Sequence, residues 1–226
     1  MAKTNLIILF QGRTGSTHLI SLLNKNIDVL IHGEILNKYS YKEQPKQLRY
    51  ITTNTCGKKV TGLKTKIRDL HRPKEILDVI HACYHKVIVM TRRNLVKQTI
   101  SDLNSHQIFQ TTGDWNVNKE SDKPIPRIID PKEFENSLNC RNIEHQDLIL
   151  FANEIKLESL YVDYSDLIDR EKETIESICR FLDIQYTSNM KSDFIKATPD
   201  DLSKAILNYE DLKRRFGCGK YKEMFD

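Results

Sequence analysis

Two stretches of this chain are apolar almost without interruption, NLIILF over 5–10 and KVIVMT over 86–91. Unbroken runs of this length suit strands buried on both faces of a parallel sheet. KVTGLKTKI (59–67) alternates and predicts another strand. DVLIHGEIL (28–36), broken by Gly33, reads as a strand or loop edge near the sheet's end, and LESLYVDYSDLI (157–168) as a strand leaving into a turn. Helical spacing fills the intervals. Leu19, Ile20, Leu22 and Leu23 predict a helix ending near Lys25, and PKEILDVIHACYH (73–85) opens with a proline suited to a first helical turn and gathers Ile76, Val79, Ile80 and Cys83 on one face. Further helices are expected over 94–106, starting directly from RRN, over 132–156, and over 171–184, where Ile175, Ile178, Cys179 and Leu182 fall in register. Strands alternating with helices imply an α/β fold with a mostly parallel central sheet, whose ligands bind at the carboxyl ends of the strands.

Two stretches lack a period. Residues 107–131 are polar, hold three of the six prolines, and predict a long variable loop of the kind that shapes a site. Residues 185–226 read as irregular or short helical structure, a closing segment. At 226 residues and 39% hydrophobic, the chain can bury one sizeable core, so a single domain over 1–226 is expected.

Charge and cysteine narrow the function classes. A formal charge of +4, from 35 basic against 31 acidic residues, is too mild and dispersed for a nucleic-acid binder but compatible with an anionic small ligand. Cys56, Cys83, Cys140, Cys179 and Cys218 are odd in number and free of any CxxC pair, which argues against a disulfide framework or a zinc site. The opening apolar run is shorter than a signal sequence requires, and nothing approaches the ~20 apolar residues of a membrane span, so a cytoplasmic protein is expected.

The candidate chemistry begins behind the first strand, in FQGRTGSTHLISLLN (10–24). A helix that starts straight after a glycine-punctuated turn presents unpaired backbone N–H groups and the positive end of its dipole, which together bind phosphate or sulfate. The donors would come from Thr14, Gly15, Ser16 and Thr17, with two hydroxyls added, and Arg13 brings a fixed charge with forked geometry. A triphosphate loop needs G-x-x-x-x-G-K-[ST]; here Ser16 stands where that lysine should be, which disfavours triphosphate hydrolysis. A plain strand-to-helix turn with a serine-threonine cap is the bland alternative.

GRTGSTHLISLLN resembles the 5′-phosphosulfate loop of sulfotransferases that use 3′-phosphoadenosine 5′-phosphosulfate (PAPS), above all the bacterial carbohydrate branch related to the nodulation-factor and trehalose enzymes. VMTRRNLVKQTIS (89–101) resembles that family's 3′-phosphate motif, an arginine at a strand end followed eight residues later by a serine on the next helix; Arg93 and Ser101 match, with Arg92 adjacent. HGEIL (32–36) resembles the segment where the bacterial branch carries its glutamate, and VTGLKTKI and YVDYSDLI occupy the later strands. The resemblance implies a P-loop-like three-layer sandwich. It also implies transfer of a sulfuryl group from PAPS to a hydroxyl, most of all of a carbohydrate or glycoconjugate.

In that chemistry Arg13 takes the place of a catalytic lysine and acts electrostatically, since arginine keeps its charge but cannot shuttle a proton. Glu34 is the candidate general base, its pKa expected to be raised by partial burial. His32 is its competitor. On an extended segment the two side chains share a face, so that one could orient the other. Arg93 and Ser101, with Arg92, would hold the 3′-phosphate. No metal is expected, because the leaving group is a phosphate of low pKa. His81 and His85, at i and i+4, are too few for a metal site; Trp115 either stacks on a sugar or purine or anchors its loop; and Lys64 falls near the cleft on its strand. A nucleotide or small-molecule kinase and a nucleotide-binding module without turnover are the alternative functions.

Overall fold

The computed structural model describes residues 3–71, 73–117, 119–191 and 195–225. Asn118, in the loop expected over 107–131, and residues 192–194 and 226, in the expected closing segment, lie outside the described residues. By its contacts the chain divides into two compact units, 1–91 with 144–192, and 92–143 with 193–226.

The first unit carries the sheet. Strands β1 (Thr4–Phe10), β2 (Val29–His32), β3 (Val60–Lys66), β4 (Lys86–Thr91) and β5 (Glu158–Asp163) lie in the order β2-β3-β1-β4-β5, every neighbouring pair parallel. The unbroken apolar run of β1 follows from its central place. Leu6, Ile8 and Phe10 face one core with Leu19, Leu22 and Leu23 of helix α1 (Ser16–Leu23), while Ile7 and Leu9 face a second core with Ile76, Val79 and Ile80 of helix α3 (Pro73–Cys83). Helices thus cover both faces, giving the three-layer α/β sandwich expected from the sequence. Helix α2 (Gln44–Thr53) joins the second core through Leu48 and Ile51; α6 (Tyr164–Asp169) and α7 (Glu171–Phe181) pack on the first.

The second unit is helical and has its own core. Helix α4 (Leu95–Thr112), the start of α5 (Pro131–Ile155) and helix α8 (Tyr209–Phe216) enclose Val96, Ile100, Phe134, Leu138, Leu212 and Phe225.

Three local differences from the sequence expectations have physical causes. Helix α4 runs past 106 to Thr112, because its stop is Gly113 in the left-handed conformation, φ 75°, whose N–H donates to the Phe109 carbonyl. The strand expected over 28–36 ends at His32. Helix α2 had no forecast, since only Leu48 and Ile51 are buried apolar residues on it. Among the described residues no helix is long and apolar enough to cross a membrane.

Candidate active site

The loop between β1 and α1 is shaped by two left-handed residues, Arg13 at φ 66° and Gly15 at φ 75°. An L side chain in that region costs roughly 1–2 kcal/mol, which glycine avoids. At Gly15 space forbids a side chain as well: a Cβ would stand 2.9 Å from Cδ2 of Tyr164. Thr14 is fully buried and its hydroxyl donates to the Gln11 carbonyl at 2.9 Å, so that hydroxyl braces the loop from within. Helix α1 has no acidic residue in its first turn and no side-chain cap hydrogen bond among the described residues. Its first N–H groups are oriented for an anion.

The lysine missing from the loop is supplied from the neighbouring strand. Parallel pairing sets Ile8 beside Lys64 and Phe10 beside Lys66, which brings both lysines of β3 to the carboxyl end of β1. The Lys64 ammonium donates to Ser16 Oγ at 3.1 Å and Thr17 Oγ1 at 2.7 Å, and lies 3.3 Å from Glu34 Oε1. Lys66 closes the cluster at 2.5 Å from Glu34 Oε2. Both ammonium groups stand over the Phe10 ring, 4.9 and 5.6 Å from its centroid, a cation–π arrangement. From the sequence Lys64 was expected near the cleft on its strand, without a partner or a role. The signal was the period of two in LKTK, which sets Lys64 and Lys66 on one side of a strand.

Electrostatics differ from the expectation for Glu34. Burial pushes its carboxyl up, but the charge of Lys64 and the contact with Lys66 outweigh it and hold the pKa below the ordinary range. Counting burial alone predicted the opposite sign. Lys64, only 3% exposed, is pushed below the ordinary lysine value by burial; Glu34 opposes the shift, and Lys66 and Arg13 add to it. That coupling sets the Arg13 charge within electrostatic range of Lys64.

His32 and Glu34 do not share a face. The Ile35 N–H donates to the Gly33 carbonyl at 2.9 Å, a three-residue turn centred on Glu34 that ends the alternation of β2. Glu34 turns to the two lysines, whereas His32 lines a cavity against α2.

In the second unit, Asn94 caps α4, its side-chain oxygen accepting from the Lys97 N–H at 2.8 Å. Before it stand Arg92, 7% exposed, and Arg93, exposed; Ser101, in the second turn of α4, is 5% exposed. Trp115 stacks on Phe109 at 4.4 Å between centroids and meets His106 edge-on, which anchors it to α4 and leaves it 47% exposed. His81 and His85 serve structure: the His81 ring donates to the Ile155 carbonyl, and Nδ1 of His85 accepts from the Asn5 N–H.

No family model matches the chain. By sequence it is 24% identical over 236 residues to nodulation protein H of Rhizobium tropici, covering 97% of this chain and 92% of that protein. Nodulation protein H of Rhizobium meliloti is 23% identical over 237 residues, covering 97% and 94%. The crystal structure of a sulfotransferase from Alicyclobacillus acidocaldarius shares the fold with a TM-score of 0.54 at 12% identity, over 100% of this chain and 96% of that one. The sequence match runs nearly from end to end of both proteins, and the chain shares the α/β fold of a sulfotransferase.

Proposed function

We propose that this enzyme transfers the sulfuryl group of PAPS to a hydroxyl of a carbohydrate or glycoconjugate, in the cytoplasm, by in-line displacement. The observation that carries the proposal is the position of Lys64, which touches both hydroxyls at the start of α1 and the carboxylate of Glu34. Sulfuryl transfer needs charge stabilisation on the transferred group and a group that accepts the acceptor's proton. Lys64 is bonded to residues suited to both tasks.

In this scheme the N–H groups of Thr14, Gly15, Ser16 and Thr17 hold the 5′-phosphosulfate, and Arg13 stabilises the bridging oxygen as negative charge grows. Arg93 and Ser101, with Arg92, take the 3′-phosphate. Glu34 receives the proton. Its low pKa makes it a weak base while Lys64 is its partner. A bound sulfuryl group competes for the same ammonium, and as Lys64 turns to the anion its hold on Glu34 loosens. Donor binding thereby raises the basicity of the carboxylate at the step that needs it. His32, facing away from the lysine pair, is left an orienting role toward the acceptor.

Thermal denaturation with adenosine 3′,5′-bisphosphate, beside ATP with magnesium and repeated on Arg93→Ala, tests the donor assignment. A ligand selective for the folded state adds about 2.7 kcal/mol at a hundredfold excess over its Kd. Stabilisation by the bisphosphate that disappears in Arg93→Ala is expected. Stabilisation by ATP with magnesium alone would replace sulfuryl transfer with a kinase function.

A further inference from the structure

Beside the turn that carries Glu34, the first unit has a cavity of about 280 Å³ that no step above uses. His32, just before that turn, and Ile35, its last residue, form one wall together with Tyr39; Gln47, Tyr50 and Asn54 of α2 and its end form the other. Its volume falls near the ~300 Å³ lower end for small-molecule sites, suited to a short polar chain rather than a whole nucleotide.

The lining is amphipathic in a particular way. Two tyrosine rings offer flat apolar faces, and an imidazole, two side-chain amides and the Lys38 ammonium offer hydrogen bonds. A pyranose has the matching surface, with C–H groups on its faces and hydroxyls around its edge. The Tyr50 ring is also held in place. The Asn54 amide donates to the Tyr50 hydroxyl at 2.7 Å, which fixes that ring although it is 55% exposed. The two walls are tied together beneath by Gln44, which is fully buried. Its amide donates to the carbonyls of Leu36, on the turn side, and Asp69, and its oxygen accepts from the His71 N–H, at 3.0, 2.7 and 2.9 Å. An exposed aromatic face locked by hydrogen bonds is preorganised for stacking.

We infer that this cavity is a glycan subsite, holding the sugar units next to the one that is sulfated. The inference rests on the carbohydrate acceptor proposed above. Because His32 and Ile35 flank Glu34 in the chain, a sugar whose hydroxyl stands at Glu34 has its neighbouring units laid toward Tyr39 and Tyr50. The enzyme thereby selects for chain length as well as for the reacting sugar.

The test is isothermal titration, in saturating adenosine 3′,5′-bisphosphate, of two straight β-linked tetrasaccharides, cellotetraose and chitotetraose, against glucose and N-acetylglucosamine. Wild type, Tyr50→Ala and Tyr50→Phe are compared, and a separate titration of the bisphosphate reports the donor site. At least one tetrasaccharide should bind more tightly than its monosaccharide, and Tyr50→Ala should weaken it about tenfold, the size of an aromatic stacking contact. Tyr50→Phe, which keeps the ring, should retain most of the affinity, and the bisphosphate should bind all three proteins alike. If neither tetrasaccharide binds while the bisphosphate does, the glycan occupant is wrong and the acceptor proposal falls with it. If a tetrasaccharide binds but Tyr50→Ala changes nothing, the subsite is overturned and the carbohydrate acceptor stands.

Discussion

The loop at the head of α1 and the lysine–glutamate cluster beside it are both candidate anion-handling devices, but they are built in opposite ways. The loop is made by consecutive residues and works through backbone: Gly15 permits its turn, the Thr14 hydroxyl braces it, and α1 supplies its N–H groups. The cluster is made by residues from two strand ends and works through side chains, with Lys64 and Lys66 on β3 gripping Glu34 after β2. A device of the first kind is written in one stretch of sequence. One of the second kind exists only once strand order and register are known, because β3 lies between β2 and β1 although β1 and β2 are successive in the chain.

The sharpest way to break this contrast is at Gly15. Gly15→Val puts a β-branched residue at φ 75° and a Cβ within 2.9 Å of Tyr164, so the backbone device cannot form. A loss of roughly 2–5 kcal/mol is expected from the left-handed strain plus overpacking, read by urea denaturation, with bisphosphate binding abolished. Unchanged stability would mean that the loop does not depend on its backbone geometry. Next comes Lys64→Met, which keeps the stem's volume and removes the charge. Hydrogen bonds to charged groups contribute about 1.5–3 kcal/mol, so bisphosphate affinity should fall ~10- to 100-fold while the fold survives. An undiminished affinity in titration calorimetry would confine Lys64 to partnering Glu34.

The same contrast explains what the sequence made visible. β1 and β4 were legible because strands buried on both faces need no polar residue. The anion loop was legible because glycines, hydroxyls and an arginine stand consecutively behind β1. Helix α2 was not, because one of its buried positions is Gln44, a polar residue placed inside for its three hydrogen bonds rather than for hydrophobicity. The pairing of His32 with Glu34 failed for a different reason: Gly33 marks a break in the strand, but the three-residue turn it opens, which ends the alternation before Glu34, depends on a backbone bond from Ile35 that residue type does not announce. The sign of the Glu34 shift required Lys64 and Lys66, some thirty positions downstream. Burial is guessable from a sequence, whereas an ion pair across strands is not.

A smaller effect separates hydroxyls within the loop. Thr14→Val removes the internal bond to Gln11 and should cost about 1 kcal/mol of stability with bisphosphate affinity little changed, because that hydroxyl faces inward. Thr17→Val, which removes one of the hydroxyl partners of Lys64, should reverse the pattern, weakening bisphosphate binding more than folding. Equal effects from the two variants would erase the distinction between brace and ligand.

The least of the expected effects tests the cluster by pH. Lys64 and Lys66 hold the Glu34 pKa below the ordinary glutamate value, so the folded state binds this proton less readily than the unfolded chain does. The resulting stabilisation is complete above the unfolded pKa and disappears as pH falls through the folded one. Glu34→Gln removes the titrating group and leaves the lysines without their counter-charge. The wild-type advantage over Glu34→Gln in denaturation midpoint should therefore be full at pH 7, shrink as the pH drops below about 4.5, and vanish at lower pH. In Lys64→Met the same carboxyl loses the strongest of the attractions that lower its pKa, so the advantage should be smaller and disappear at a higher pH than in wild type. A constant advantage across the acid range would mean that Glu34 owes its stabilising role to packing. The loop would then be the only one of the two devices that works through charge.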